Sequence, residues 1–129
     1  MAKKQILAVD DEAEMLDLIY KRLSERGYDV VMAVTGQEAL DKARRRVPDL
    51  ILMDIVLPDI EGPDVIRKLK EEDPEMRKIP VIFLSGIVGE HDNGSKQSEI
   101  QVGGQMYCAL PKPFVFETLV EKIEESLYL

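Results

Sequence analysis

The chain alternates between short apolar runs and longer amphipathic stretches. Five of the apolar runs carry hydrophobic residues at consecutive positions, which is typical of strands buried on both faces of a sheet. These runs predict strands over Gln5 to Val9, Tyr28 to Ala33, Leu50 to Met53, Ile79 to Leu84 and Met106 to Leu110.

Between the strands, hydrophobic residues recur every three or four positions, the spacing of one face of a helix. The first helix ends before Gly27. The second begins after Thr35, a suitable N-cap, and ends before Pro48. Pro63 suits the first turn of the third helix. The apolar stripes of the four helices are Met15, Leu16, Ile19 and Leu23; Ala39, Leu40, Ala43 and Val47; Val65, Ile66 and Leu69; and Phe116, Leu119, Val120, Ile123 and Leu127.

A polar segment from Gly86 to Gly104 interrupts this regular alternation. Its middle reads EHDNGSKQSEIQ, and Ile100 and Val102 are its apolar positions. We expect a short helix over Ser95 to Val102 and the highest mobility of the chain in this segment.

Strands that alternate with helices predict an α/β fold, with a doubly wound, five-stranded parallel sheet and helices on both faces. The chain has 129 residues and shows no internal repeat, linker or second core. Residues 1–129 are therefore predicted to form one domain.

The composition narrows the classes of function. The net charge of −8 argues against contacts with nucleic acid, which require clustered Lys and Arg. The longest apolar runs are far shorter than a membrane span or the core of a secretory signal, so we expect a cytoplasmic protein with no membrane association. Cys108 is the single cysteine, which excludes an internal disulfide.

Polar side chains follow the apolar strands where each strand ends. Asp10 and Asp11 follow the first strand, Asp54 the third, Ser85 the fourth and Lys112 the fifth. Any one of them could simply cap a helix or form a turn. Together they favour a site, because ligands of open parallel sheets bind at the carboxyl ends of the strands.

The chemistry of this set suits a divalent cation with oxygen ligands. Clustered carboxylates repel one another, and Mg²⁺ would relieve the repulsion while keeping several waters. A structural zinc site is not expected because no Cys or His pair is available. A central carboxylate could then attack a phosphoryl group, with a lysine and a hydroxyl stabilising the developing charge.

The sequence resembles the response-regulator receiver domains of two-component signalling over nearly its whole length. The resemblance is carried by ILAVDDE, DLILMDIVLPDIEG, VIFLSG and LPKPF, in the order of the family. It implies a flavodoxin-like fold with strand order 2-1-3-4-5. This is the order known for a member of the family.

By this resemblance, Asp54 is the phosphoacceptor. The acidic pair Asp10 and Asp11 and the main-chain carbonyl of Val56 would bind Mg²⁺ together with it. Ser85 and Lys112 match the hydroxyl and the lysine that respond to the phosphoryl group. The resemblance also implies a cis bond between Lys112 and Pro113.

The implied function is a phosphoacceptor switch, which catalyses only its own phosphorylation and dephosphorylation. Phosphorylation would change the face formed by helix four, which the family has in the region of Gly86 to Gly104, by strand five, and by the final helix as helix five. The implied partners are a sensor histidine kinase and a downstream protein or fused output domain, and a homodimer through the same face is compatible with the sequence.

Two departures from the family pattern concern the output surface. The aromatic switch residue expected three positions before Lys112 is replaced by Ala109, and Tyr107 should face the same way as Ala109 by strand alternation. The spacing from Ser85 to Lys112 is also longer than usual in the family.

Two other functions stay open at this point. A Mg²⁺-dependent phosphohydrolase would use Asp54 as nucleophile, but it would need a general acid where this chain has Val56. A pure interaction module would keep the fold without accepting phosphate. The absence of the aromatic switch residue at Ala109 is the feature that favours this second alternative.

Overall fold

The computed structural model of the chain describes residues 3–86 and 98–128. Its helices and strands are β1 (Gln5–Val9), α1 (Ala13–Glu25), β2 (Asp29–Ala33), α2 (Gly36–Arg45), β3 (Leu50–Asp54), α3 (Gly62–Glu72), a 3₁₀ helix (Pro74–Lys78), β4 (Val81–Ser85), β5 (Ser98–Val102), β6 (Gln105–Pro111) and α4 (Phe116–Tyr128). No helix within these ranges is long and apolar enough to cross a membrane.

The strands form one sheet in the order β2-β1-β3-β4-β6-β5. The first five strands of this order run parallel to their neighbours, while β5 pairs with β6 in antiparallel orientation at the edge. The five parallel strands confirm the predicted doubly wound fold and its 2-1-3-4-5 order. The edge strand β5 is an addition that the sequence analysis did not predict.

The short helix expected over Ser95 to Val102 is wrong for Ser98–Val102, which form β5. Glu99 and Gln101 are exposed, whereas Ile100 and Val102 pack against the core, and this two-residue period is that of a strand. Gly103 and Gly104 make the turn into β6 with φ of 57° and 84°, a region that favours glycine. The rest of the expected helix and the expected mobile centre of the segment lie outside the described residues.

The edge strand β5 also belongs to the described part of the expected output face. Among residues 3–86 and 98–128, the element that precedes the last parallel strand is a strand and not a fourth helix. The described part of the predicted face therefore consists of β5, β6 and α4.

Two hydrophobic layers hold the helices against the sheet. One layer contains α2 and α3, and the other contains α1 and α4. Consecutive residues of β1 alternate between them, since Leu7 and Val9 belong to the first layer and Ile6 and Ala8 to the second. Full burial of each large aliphatic side chain stabilises the fold by roughly 1.5–3 kcal/mol. The apolar strands thus fix the sheet and leave its carboxyl edge to polar residues.

Candidate functional site

The carboxyl ends of β1, β3, β4 and β6 bring the predicted site residues to one edge of the sheet. Asp10, Asp54 and Ser85 are 0%, 6% and 1% exposed, so the sheet edge is polar and largely closed to solvent. The main-chain NH of Lys112 donates to the carbonyl of Ser85 at 2.8 Å, which fixes the end of β6 beside the end of β4. Asp11 is exposed next to this group.

Lys112 connects the acidic residues of the site. Its Nζ lies 2.7 Å from Asp10 Oδ2, 3.6 Å from Asp54 Oδ2 and 3.5 Å from Glu12 Oε1. Burial acts to lower the pKa of Lys112, but the hydrogen bond to Asp10 and the charges of Asp54 and Glu12 outweigh it and raise that pKa overall. Lys112 is therefore a cation at neutral pH.

Glu12 is a neighbour of the site that the sequence analysis did not identify. It directly follows the acidic pair, and this third acid in the DDE run was the available signal. Its main-chain NH also donates to Asp10 Oδ1 at 2.9 Å, so both oxygens of the Asp10 carboxylate are engaged.

Among the carboxylates of the described residues, Asp54 has the most strongly shifted pKa. Burial and the charge of Asp10 raise its pKa from 3.8 to about 6, although Lys112 and a hydrogen bond from the main chain of Val56 act in the opposite direction. The charge of Asp11 adds a smaller increase. The ionised site thus carries more negative charge than Lys112 balances.

The geometry of the acidic residues fits a divalent cation. Carboxylate oxygens of Asp10, Asp11 and Asp54 all lie within 4.8 Å of one another. A donor set made only of oxygens suits hard cations such as Mg²⁺ or Ca²⁺. The site could therefore hold a divalent metal ion, whose charge would compensate the excess of carboxylates.

The loop from Ile55 to Glu61 follows Asp54 closely. The main-chain NH of Gly62 donates to the carbonyl of Ile55 at 2.8 Å and closes the loop. A Cβ atom at position 62 would lie 2.1 Å from the main-chain oxygen of Asp54, so this approach requires glycine. Val56 is 53% exposed within this loop, two residues after Asp54.

The part of β6 that contains Tyr107 and Ala109 lies in the core. Ala109 is 1% exposed, and Tyr107 packs its ring edge-on against Phe83 at 5.8 Å between centroids. Both Tyr107 and Ala109 belong to the layer that contains α2 and α3, so they do face the same way. The bond between Lys112 and Pro113 is cis, as the resemblance implies.

The fold and this site define a receiver domain. The chain belongs to the response regulator receiver domain family, whose sequence model matches residues 6–124. It is accordingly a receiver domain of the kind found in two-component response regulators.

Particular relatives support the same assignment. The chain is 35% identical over 124 residues to the polar-differentiation response regulator DivK of Brucella ovis, covering 96% of each sequence. It is 36% identical over 111 residues to the alkaline phosphatase synthesis transcriptional regulatory protein PhoP of Bacillus subtilis, covering 86% of this chain and 43% of that protein. The chain spans about half the length or less of the transcriptional regulators it matches.

A solved structure with the same fold is the CheY-like response regulator receiver domain protein of Methanospirillum hungatei JF-1. The TM-score is 0.78 at 30% sequence identity, and the alignment covers 98% of this chain and 94% of the other. The added antiparallel strand β5 therefore leaves the family fold intact.

Proposed function

We propose that Asp54 accepts the phosphoryl group and that the chain acts as a Mg²⁺-dependent phosphoacceptor switch. The observation that carries this proposal is the placement of Asp54, a nearly buried carboxylate between the acidic pair and Lys112. Val56 cannot serve as the general acid that hydrolysis would need. A phosphohydrolase that uses Asp54 as its nucleophile is therefore the less favoured function.

In the transfer step, an oxygen of the Asp54 carboxylate attacks the phosphorus of a phosphohistidine or of a small phosphodonor. The bond between phosphorus and the donor breaks, an acyl phosphate forms, and the donor leaves with the electron pair of the broken bond. The nucleophile must be ionised, which the pKa of about 6 permits at neutral pH.

We propose that Asp10, Asp11, Asp54 and the main-chain carbonyl of Val56 hold Mg²⁺. When bound, the ion supplies charge neutralisation for the carboxylates and for the phosphoryl oxygens. Asp11 is the more direct ligand of the acidic pair, because Asp10 already accepts hydrogen bonds from Lys112 and Glu12.

Lys112 and Ser85 respond to the new group. Lys112 Nζ is already 3.6 Å from the oxygen of Asp54 and can pair with a phosphoryl oxygen with little movement. The Ser85 hydroxyl lies at the end of the adjacent strand β4 and would donate a further hydrogen bond. The gain of these contacts only in the phosphorylated state shifts the conformational equilibrium of the domain.

We propose that the protein acts in the cytoplasm, with a sensor histidine kinase as donor and a downstream protein or fused output domain as target. The chain would catalyse only its own phosphorylation and dephosphorylation. Residues 1–129 would act as a single receiver domain, and its described output surface comprises β5, β6 and α4.

The test is incubation of the protein with a small acyl phosphate and Mg²⁺, followed by intact-mass measurement. We expect a mass gain of one phosphoryl group in the wild type and none in Asp54→Ala, with Asp17→Asn on the exposed face of α1 as a control that keeps the gain. If no donor produces the mass gain, the chain is a pure interaction module that does not accept phosphate. Rapid turnover of an added phosphoester would instead indicate a phosphohydrolase.

A further inference from the structure

Asp59 links the loop after Asp54 to a different element of the fold. Its carboxylate accepts hydrogen bonds from the main-chain NH groups of Gly36, at 2.8 Å, and Gln37, at 2.9 Å. These donors open helix α2 and precede Asp59 by more than twenty positions in the sequence. The contact is therefore tertiary and not a local turn.

The other donors of the first turn of α2 are satisfied locally. Thr35 Oγ1 accepts a hydrogen bond from the NH of Glu38 at 3.0 Å, and the main-chain carbonyl of Thr35 accepts one from the NH of Ala39. The Glu38 side chain accepts from the NH of Val34 at 2.8 Å. Asp59 thus takes the two initial NH groups that α2 itself cannot pair. These hydrogen bonds lower the pKa of Asp59, which keeps it ionised at neutral pH.

Close packing accompanies these hydrogen bonds. A Cβ atom at Gly36 would lie 3.0 Å from Ile60 of the loop and 3.0 Å from Val65 of α3, so both the loop and α3 contact the start of α2. At its other end the loop is closed by the bond from Gly62 to Ile55. Val56 lies between these two attachments, and its main chain also donates a hydrogen bond to Asp54. The contacts of Asp59 therefore restrain the far side of the segment that carries the Val56 carbonyl.

We propose that Asp59 is a positioning residue for the metal site. By fixing the loop on the N-terminus of α2, its carboxylate holds the Val56 carbonyl where it can act as a ligand together with the acidic residues. This inference rests on the proposed function, because it requires a metal ion at that site. A residue that only capped α2 would stabilise the helix without affecting metal affinity.

The experiment compares Asp59→Ala and Asp59→Asn with Thr35→Ala. Thr35→Ala removes a hydrogen bond from the same first turn of α2 but leaves the loop untouched, so it is the matched control. Mg²⁺ affinity is measured by calorimetry, stability by denaturant unfolding, and opening of residues 55–62 by amide hydrogen exchange without metal. Circular dichroism establishes that each variant is folded.

We expect Mg²⁺ to bind roughly tenfold more weakly to Asp59→Ala, as for the loss of groups that orient metal ligands elsewhere. Asp59→Asn keeps one acceptor oxygen and should show a smaller loss. Thr35→Ala should bind Mg²⁺ as the wild type does despite a similar loss of stability.

Unchanged Mg²⁺ affinity in Asp59→Ala, or an equal weakening in Thr35→Ala, overturns the positioning role while the wild type still binds Mg²⁺. A wild type that neither binds Mg²⁺ nor accepts phosphate on Asp54 overturns the proposed function and this inference together. If Asp59→Ala is unfolded, Asp59→Asn decides by the same comparison.

Discussion

The Lys112 ammonium group donates to the Asp10 carboxylate at 2.7 Å, across 102 positions of the sequence. Asp10 is fully buried, and the Lys112 side chain is 13% exposed. The bond therefore joins the carboxyl ends of β1 and β6 in a place where neither charge is well hydrated. A buried charge of this kind is tolerated only while its partner is present.

Removal of the lysine should leave the Asp10 charge uncompensated. We expect Lys112→Ala to lower the free energy of unfolding at pH 7 by roughly 3 kcal/mol without metal, measured by denaturant titration. Lys122→Ala is the control, since Lys122 pairs at 3.3 Å with an exposed Glu125 and should cost less than about 1 kcal/mol. Equal losses in both variants would contradict this account of the buried pair.

The raised pKa of Asp54 predicts a pH-dependent instability of the metal-free protein. Between its ordinary pKa of 3.8 and the folded value of about 6, the folded chain binds more protons than the unfolded chain. The contribution of Asp54 to stability therefore falls as the pH rises through this window and stays low above it. The difference between the two pKa values corresponds to about 3 kcal/mol.

Asp54→Asn should remove this penalty. In EDTA we expect the variant to be more stable than the wild type at pH 7, with the difference disappearing near pH 4. Denaturant unfolding across this range measures it, and Asp17→Asn on the exposed face of α1 controls for loss of a surface charge. A stability difference that is independent of pH would show that Asp54 does not titrate in this window.

Much of this fold could be predicted from the sequence because its strands are buried on both faces. A continuous apolar run such as Leu50 to Met53 in β3 indicates a buried strand, and the apolar stripes between the runs indicate helices. The gathering of the acidic residues followed from topology, since the carboxyl ends of parallel strands share an edge. The sequence did not predict which carboxylate oxygens Lys112 contacts at this edge, because those contacts depend on side-chain distances.

The edge strand β5 shows why the remainder was missed. Ser98–Val102 offer only two apolar residues, and two positions do not separate a helical period from an alternating one. The pairing of Ile100 with Tyr107 supplies the missing constraint, and it depends on the neighbouring strand and not on the pattern within Ser98–Val102. Asp59 was missed for a similar reason, because its NH partners belong to a helix distant in the sequence.

The close approach of Gly62 to Asp54 predicts a steric effect of an added methyl group. A Cβ atom at position 62 meets main-chain oxygen at 2.1 Å, and backbone atoms cannot move aside as a flexible side chain would. We expect Gly62→Ala to destabilise the protein by roughly 3 kcal/mol and to weaken Mg²⁺ binding.

Gly86→Ala is the matched control for this variant. Gly86 directly follows β4 at the site edge, and among residues 3–86 and 98–128 no atom lies within 4 Å of an added Cβ atom there. It should change the free energy of unfolding by less than about 0.5 kcal/mol in the same denaturant titration. A Gly62→Ala protein as stable as Gly86→Ala would mean that the loop can shift away from Asp54.

Ala109 stands on β6 at the position where an aromatic switch residue is expected. Ala109 is buried and is paired with Phe83 of β4 on one side and with Ser98 of β5 on the other. Restoring an aromatic residue, as in Ala109→Phe, should therefore overpack the core and lower the free energy of unfolding by about 1–3 kcal/mol. Met106→Phe is the control because Met106 is 52% exposed on the same strand. If denaturant unfolding shows Ala109→Phe to be as stable as Met106→Phe, β5 does not confine this position, and a rotating side chain could be accommodated there after all.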